Sequence, residues 1–260
     1  MQNELTLALI QSDLVWENPA KNRLNFTNKI EGIRNSVDLI ILPEMFSTGF
    51  TMSPKKVAET MQGETVKWMQ DLAKDMQMAI MGSLVITENG HYYNRLLFVH
   101  PEGLVDVYDK RHTFTLAGEH KVYRAGKQKL IVNYKGFKIR PLICYDLRFP
   151  VWSRITEGYD VLIYVANWPK QRISAWDALL KARAIENMSY CVGVNRVGFD
   201  MNDHEYTGSS AVYDVLGEEI TNIPKGVPSV EIVSLNKSHI KKYREKLQFL
   251  KDQDDFNLVV

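Results

Sequence analysis

Short apolar runs recur along the whole chain, each separated from the next by an amphipathic helical stretch or a tight turn. Continuous apolar runs suit strands covered on both faces, and the helical stretches between them supply the covers. The pattern therefore predicts an α/β fold with mixed sheets flanked by helices. Residues 5–10 read as the first strand. Asn18-Pro19 then offers a capping side chain and a proline at the first helical position, and Phe26, Ile30 and Ile33 follow at helical spacing. Residues 38–43 read as a buried second strand, and Val66, Met69, Ala73 and Met76 mark the next helix. Residues 79–86 and 92–99 form a hairpin around Asn89-Gly90, where both residues tolerate positive φ. A turn at Pro101-Glu102-Gly103 leads to a strand at 104–108.

Residues 111–129 lack periodicity and contain Gly118 and Gly126, so they read as a long loop, of the kind that is often functional. Residues 130–134 and 137–144 make another hairpin about Lys135-Gly136. Pro150 opens a helix expected to run to about Gly158. Strands at 161–166 and 190–194 flank a helix at 174–187. Two further strands fall near 209–213 and 230–235, before a basic helix at 238–247 and a polar tail with an apolar tip. With no low-complexity linker or internal repeat, residues 1–260 are expected to form one domain.

Composition excludes more than it proposes. The 32 Lys and Arg nearly balance the 31 Asp and Glu, which leaves no global field for nucleic acid or an anionic membrane. The run Lys241-Lys242-Tyr243-Arg244 is too short to change that. The first residues lack the basic and apolar segments of a secretory signal, and no apolar run approaches the ~20 residues of a membrane span. Two cysteines, Cys144 and Cys191, do not make a disulfide framework for so long a chain, which favours a reducing cytoplasm.

Three strand ends carry chemistry. Leu42-Pro43-Glu44 puts a carboxylate directly after a buried strand, Tyr108-Asp109-Lys110 ends a strand on an amine, and Leu142-Ile143-Cys144 ends one on a thiol. Strand ends are where ligands and catalytic groups gather in α/β sheets. A helical turn after Cys144 would place free backbone N–H groups beside the sulfur. Cys191 sits within an apolar strand and reads as structural. His112, in a polar loop, reads as a bystander or as a support to the site. Asp200, Asp203, His204 and Glu205 lack regular ligand spacing and read as a solvated loop, so no metal is expected.

Pro43-Glu44, Tyr108-Asp109-Lys110 and Cys144-Tyr145-Asp146-Leu147-Arg148-Phe149-Pro150 resemble, in order and spacing, the Glu, Lys and Cys signatures of the carbon–nitrogen hydrolase (nitrilase-like) superfamily. Val165-Ala166-Asn167-Trp168-Pro169 and Arg183-Ala184-Ile185-Glu186-Asn187 are further matching segments. The resemblance covers nearly the whole chain. Within the superfamily, the Cys-Tyr-Asp-Leu-Arg-Phe-Pro run and the short, unfused chain resemble the ω-amidases, which deamidate 2-oxo acid amides such as 2-oxoglutaramate.

The resemblance implies a four-layer α-β-β-α sandwich with two mixed sheets. It also implies a homodimer or larger homo-oligomer, with residues 237–260 reaching over the partner and the helix around Trp176, Leu179, Leu180 and Arg183 as a contact. It implies an amide substrate, a thioester on Cys144, and neither metal nor organic cofactor. Glu44 is then the base, Lys110 and the backbone N–H of Tyr145 the oxyanion donors, and Glu119 the second glutamate. Arg148, one turn from Cys144, suits a substrate carboxylate. Phe46, Phe114 and Trp168 are candidates for an apolar pocket wall. The same residues would also serve another amidase, a carbamoylase or a nitrilase, and the fold alone would serve a silent binding protein.

Overall fold

The computed structural model describes residues 3–33 and 37–259. Its first half contains β1 (Glu4–Gln11), α1 (Pro19–Glu31), β2 (Leu39–Ile41), α2 (Pro54–Val57), α3 (Glu64–Met76), β3 (Ala79–Glu88), β4 (His91–Val99) and β5 (Val105–Asp109). The second half contains β6 (Val132–Tyr134), β7 (Phe137–Ile143), α4 (Pro150–Ser153), β8 (Val161–Ala166), α5 (Ile173–Asn187) and β9 (Tyr190–Asn195). It closes with β10 (Val197–Phe199), β11 (Glu205–Thr207), β12 (Ala211–Tyr213), β13 (Ser229–Asn236) and α6 (Lys237–Leu247).

Two mixed sheets result. One runs β13-β1-β2-β3-β4-β5 and the other β12-β9-β8-β7-β6. Each has parallel strands at its centre and antiparallel strands at its edges; β1 pairs parallel with β2 and β2 with β3, as β7 does with β8 and β8 with β9. The two-residue period of a strand sorts the apolar side chains. Along β1, Leu5, Leu7 and Leu9 join Ile143, Ile163 and Val192 in the core between the sheets. Ala8 and Ile10 pack instead with Phe26, Ile30, Val66 and Met69 of α1 and α3. Helix α5 covers the other sheet through Trp176, Leu180 and Ala184. The layers are therefore α-β-β-α. Among the described residues no helix is long and apolar enough to cross a membrane.

Several expectations need correction. Helix α4 stops at Ser153, well before Gly158, because its carbonyls are taken from outside: Arg140 donates to Trp152 O and Tyr159 to Ser153 O. Residues 197–207 form a hairpin, β10–β11, that the apolar pattern did not show. Its strands have three residues each, too short for period-2 alternation to register. Asp200, read as solvated, has a side chain only 5% exposed and accepts hydrogen bonds from Tyr206 Oη and the backbone N–H groups of Asn202 and His204. Of the α5 residues expected at a subunit contact, Trp176 and Leu180 are buried in this chain's own core and Arg183 is 3% exposed, while Leu179 is half-buried.

Candidate active site

The carboxyl ends of β2, β5, β7 and β8 point to one place, and the side chains just past them meet there. Glu44 follows β2, Lys110 follows β5, Cys144 follows β7 and Asn167 follows β8. Lys110 Nζ donates to Glu44 Oε1 at 2.8 Å and to Glu119 Oε2 and Oε1 at 2.9 and 3.1 Å. All three side chains are at most 1% exposed. Lys110 Nζ also lies 5.1 Å from the centre of the Phe50 ring.

Glu44 is fixed on every side. Its Oε1 accepts a second hydrogen bond, from Asn94 Nδ2 at 2.8 Å, and its Oε2 accepts from the Asn167 backbone N–H at 2.8 Å. Asn167 Nδ2 donates to the Glu44 carbonyl at 2.6 Å. Ser83 Oγ donates to Asn94 Oδ1, so the Asn94 amide is oriented with its N–H groups toward Glu44 and Glu119. Glu119 also accepts from the Phe114 backbone N–H, which ties it to the loop carrying that ring.

Cys144 opens a 3-10 turn, Cys144–Arg148, at φ 44°. A non-glycine residue there is strained, and its surroundings hold it. Asp146 Oδ2 accepts from the Ile143 N–H and from Tyr108 Oη, while Oδ1 accepts from the His112 N–H. The guanidinium of Arg183 donates to Leu147 O at 2.7 Å. His112 is thus a support to the turn: its ring stacks on Phe149 at 3.8 Å and its Nδ1 meets Asp146 Oδ1 at 2.8 Å. The sulfur of Cys144 lies 4.0 Å from Asn167 O. The first N–H groups of such a turn have no partner within it, which leaves the N–H of Tyr145 for a ligand.

The electrostatics follow from burial. Desolvation pushes the Cys144 thiol well above its ordinary range; the Glu44 charge adds to this, and Lys110 opposes it. Burial alone would lower Lys110, but the Glu119 and Glu44 carboxylates outweigh it and hold the ammonium above its ordinary range. Glu119 is pushed up by burial, with Lys110 pulling down and Glu44 pushing up. The resting site therefore holds a neutral thiol beside a cation that keeps its proton.

The family model for carbon–nitrogen hydrolases matches residues 6–245. The chain belongs to the carbon–nitrogen hydrolase family. It is an enzyme that hydrolyses carbon–nitrogen bonds. It is 42% identical over 254 residues to the omega-amidase YafV of Escherichia coli, with 98% of each chain covered. It is 33% identical to the 2-oxoglutaramate amidase of Bacillus subtilis over 217 residues, covering 82% of this chain and 83% of that one. The crystal structure of a superfamily protein from Xanthomonas campestris, with an arsenic adduct in its active site, superposes with a TM-score of 0.96 at 38% identity. It covers 99% of this chain and 100% of that one.

In this carbon–nitrogen hydrolase, Cys144 and Lys110 lie on the wall of a cavity of about 550 Å³. Tyr145, Arg148, Phe114 and Trp168 line the same cavity. Phe46 does not. It is fully buried on the helix side of the first sheet, against Phe26 and Trp68. Met45, at φ 42°, turns the chain after Glu44, so that Glu44 and Phe46 diverge to opposite faces. The aromatic wall near Lys110 is Phe50 instead, six residues past Glu44.

Asn94 and Ser83 also escaped the sequence reading, and Asn167 was named only within the 165–169 segment. The available signal for Asn94 and Ser83 was a polar residue at an interior strand position, since buried polar groups demand partners. Arg148 lies over the Trp168 ring at 5.0 Å. Asp146, two residues before it, is engaged as above, and Glu186 accepts from Arg183.

Proposed function

We propose that this hydrolase is an ω-amidase, which converts the terminal amide of a small 2-oxo acid such as 2-oxoglutaramate to the dicarboxylate and ammonia. The observation that carries this reading is the conjunction at one cavity of the buried Glu44–Lys110–Glu119 cluster, a thiol, and an Arg148 guanidinium with no ion pair among the described residues. Relatives named omega-amidase and 2-oxoglutaramate amidase support it.

The steps follow from the geometry. An amide is a weak electrophile and the thiol is not ionised at rest. Glu44 therefore takes the thiol proton as Cys144 Sγ attacks the carbonyl carbon. The charge that develops on oxygen falls to the Lys110 ammonium and the Tyr145 N–H. Lys110 is buried and both donors are held by the fold, so they need little reorganisation. Glu119 holds Lys110 from the other side. The intermediate collapses as protonated Glu44 gives its proton to the leaving nitrogen, and ammonia departs. Water then attacks the thioester while Glu44 takes its proton. The carboxylic acid leaves and Cys144 recovers a proton. Arg148 receives the distal carboxylate, and Phe114 and Trp168 flank the carbon chain between.

We extend the proposal to assembly. Residues 1–260 act as one domain, and residues 237–260 contact a second copy. In support, Phe249 and Val259 in the last segment are exposed. Light scattering on the full chain and on a chain ending at residue 247 tests this; a dimer that survives the truncation unchanged contradicts it. The activity is tested by ammonia release from 2-oxoglutaramate. Wild type should release it and Cys144→Ala should not. Turnover by Cys144→Ala, or consumption of nitriles in place of amides, would overturn the reading.

A further inference from the structure

Two guanidiniums, not one, face the cavity. Arg172 lines it together with Arg148. Arg172 ends the 3-10 turn Lys170–Arg172 that leads into α5, and it is half-buried. Its guanidinium carbon lies 5.1 Å from the centre of the Phe114 ring, and that ring stands 4.9 Å from Tyr145, next to the nucleophile. Trp168 Nε1 donates to the Arg172 carbonyl at 2.8 Å, while the face of the same indole lies under Arg148. One rigid side chain therefore sets the position of both cationic arms.

Neither guanidinium forms an ion pair or donates a hydrogen bond among the described residues, whereas the carboxylates of this cavity are committed. Glu17 accepts from Thr51 Oγ1 and pairs with Lys56; Asp200 accepts from Tyr206 and two backbone N–H groups. Glu44 and Glu119 are taken up by Lys110. The cavity thus offers unused donors and no unused anion.

We propose that Arg172 is a second specificity-determining residue, which with Arg148 receives the oxygen-rich 2-oxo acid end of the substrate and rejects the 2-ammonium of the corresponding amino acid amide. This deepens, and rests on, the ω-amidase reading. A 2-oxo acid ends in three oxygen acceptors, two from the carboxylate and one from the ketone, more than one planar guanidinium saturates in a single fork. The amino acid amide replaces the ketone oxygen with an ammonium, which has three donors and no acceptor. In this cavity that ammonium meets a second cation and finds no free carboxylate, so discrimination comes from repulsion as well as from lost bonds.

The test compares kcat/KM for 2-oxoglutaramate and for glutamine in wild type, Arg172→Ala, Arg172→Lys and Lys170→Ala. In Arg172→Ala the preference for the 2-oxo substrate should fall about 10- to 100-fold, the range for losing hydrogen bonds to a charged group, and mainly through KM. Arg172→Lys keeps the charge and should retain most of the discrimination against glutamine, which a purely structural role would not do. Lys170→Ala, one exposed cation outside the cavity wall, should leave the ratio unchanged.

A second arm measures binding of 2-oxoglutarate by calorimetry to Cys144→Ala with and without Arg172→Ala, where no turnover is needed. If wild type does not hydrolyse 2-oxoglutaramate, the ω-amidase reading falls, and the binding arm alone decides Arg172. A tenfold or greater loss of affinity supports the assignment. An unchanged substrate ratio, or unchanged binding where no turnover exists, overturns it.

Discussion

Replacing Lys110 with methionine isolates the physics of the buried cluster. The side chain keeps its length and loses its charge. Glu44 and Glu119 each lie within 3 Å of Nζ, so the substitution leaves two buried carboxylates within about 6 Å of each other with no cation between. At an effective dielectric of about 20, two like charges at about 6 Å repel by about 3 kcal/mol. Removing one partner of a buried ion pair typically costs about 3–5 kcal/mol. The cluster escapes part of that cost by keeping a proton, and Glu119 is the site for it, since burial and Glu44 already push its pKa up.

A carboxyl whose pKa is raised on folding binds more protons folded than unfolded. Its stabilising effect is present below the unfolded value, about 4.3 for Glu, and is lost as pH rises through the folded value. The loss in Lys110→Met should therefore be larger at pH 8 than at pH 5, by at least about 1 kcal/mol. Urea unfolding followed by tryptophan fluorescence at both pH values measures it. Adding Glu119→Gln should restore most of the stability at pH 8, because one buried charge is gone. It should not restore hydrolysis, which stays about 100- to 1,000-fold down for want of the oxyanion donor proposed for Lys110. A single variant as stable as wild type at pH 8, or a loss that ignores pH, would refute the reasoning.

Three other outcomes are expected. Arg148→Ala should lose about 10- to 100-fold in preference for amides bearing a distal carboxylate over neutral amides; an unchanged preference removes Arg148 from the proposed role. Alkylation of Cys144 by iodoacetamide should accelerate with pH through the alkaline range, because burial and Glu44 hold the thiol above its ordinary value. A rate already at its plateau in mild acid would mean a preformed thiolate and would contradict the proton transfer assigned to Glu44. Gly82→Ala in β3 would place a Cβ 2.8 Å from the Phe46 ring and 2.9 Å from Leu42 Cβ. A stability loss of about 1–3 kcal/mol is expected from such overpacking, and a melting temperature equal to wild type would show that the core yields more easily than these contacts allow.

Much of the architecture was readable before any coordinates. The strands at 5–10, 79–86, 92–99 and 161–166 announce themselves through apolar runs that a pleated, doubly covered sheet requires, and the structure has β1, β3, β4 and β8 there. Where the local signal failed, a side chain from a neighbouring element had overruled it or the element was too short to carry one. Pro150 opens α4 as its residue type dictates, but Arg140 and Tyr159 end it. The hairpin β10–β11 has too few residues for a period to register.

The site divides in the same way. Glu44, Lys110 and Cys144 are marked by position, each at the end of an apolar run, where side chains leave the sheet. Phe46 and Phe50 carry no such mark. The two aromatic residues are four apart and differ in where the backbone sends them between Met45 and Gly49, both at positive φ, so one enters the core and the other meets Lys110. Asn94 and Ser83 lie mid-strand, and their importance comes from what faces them across the sheet.

By itself, the sequence determined most of the longer strands and helices, the chemical identity of the acid, amine and thiol, and their placement at strand ends, because these depend on side-chain type and local periodicity. Only the tertiary structure decided that the three converge, that Asn94 and Asn167 lock Glu44, and that two guanidiniums stand over one cavity without an ion-pair partner among the described residues. Those facts depend on groups tens of residues apart sharing a dry space, where a charge must find its partner or go without. No local stretch of chain encodes that outcome.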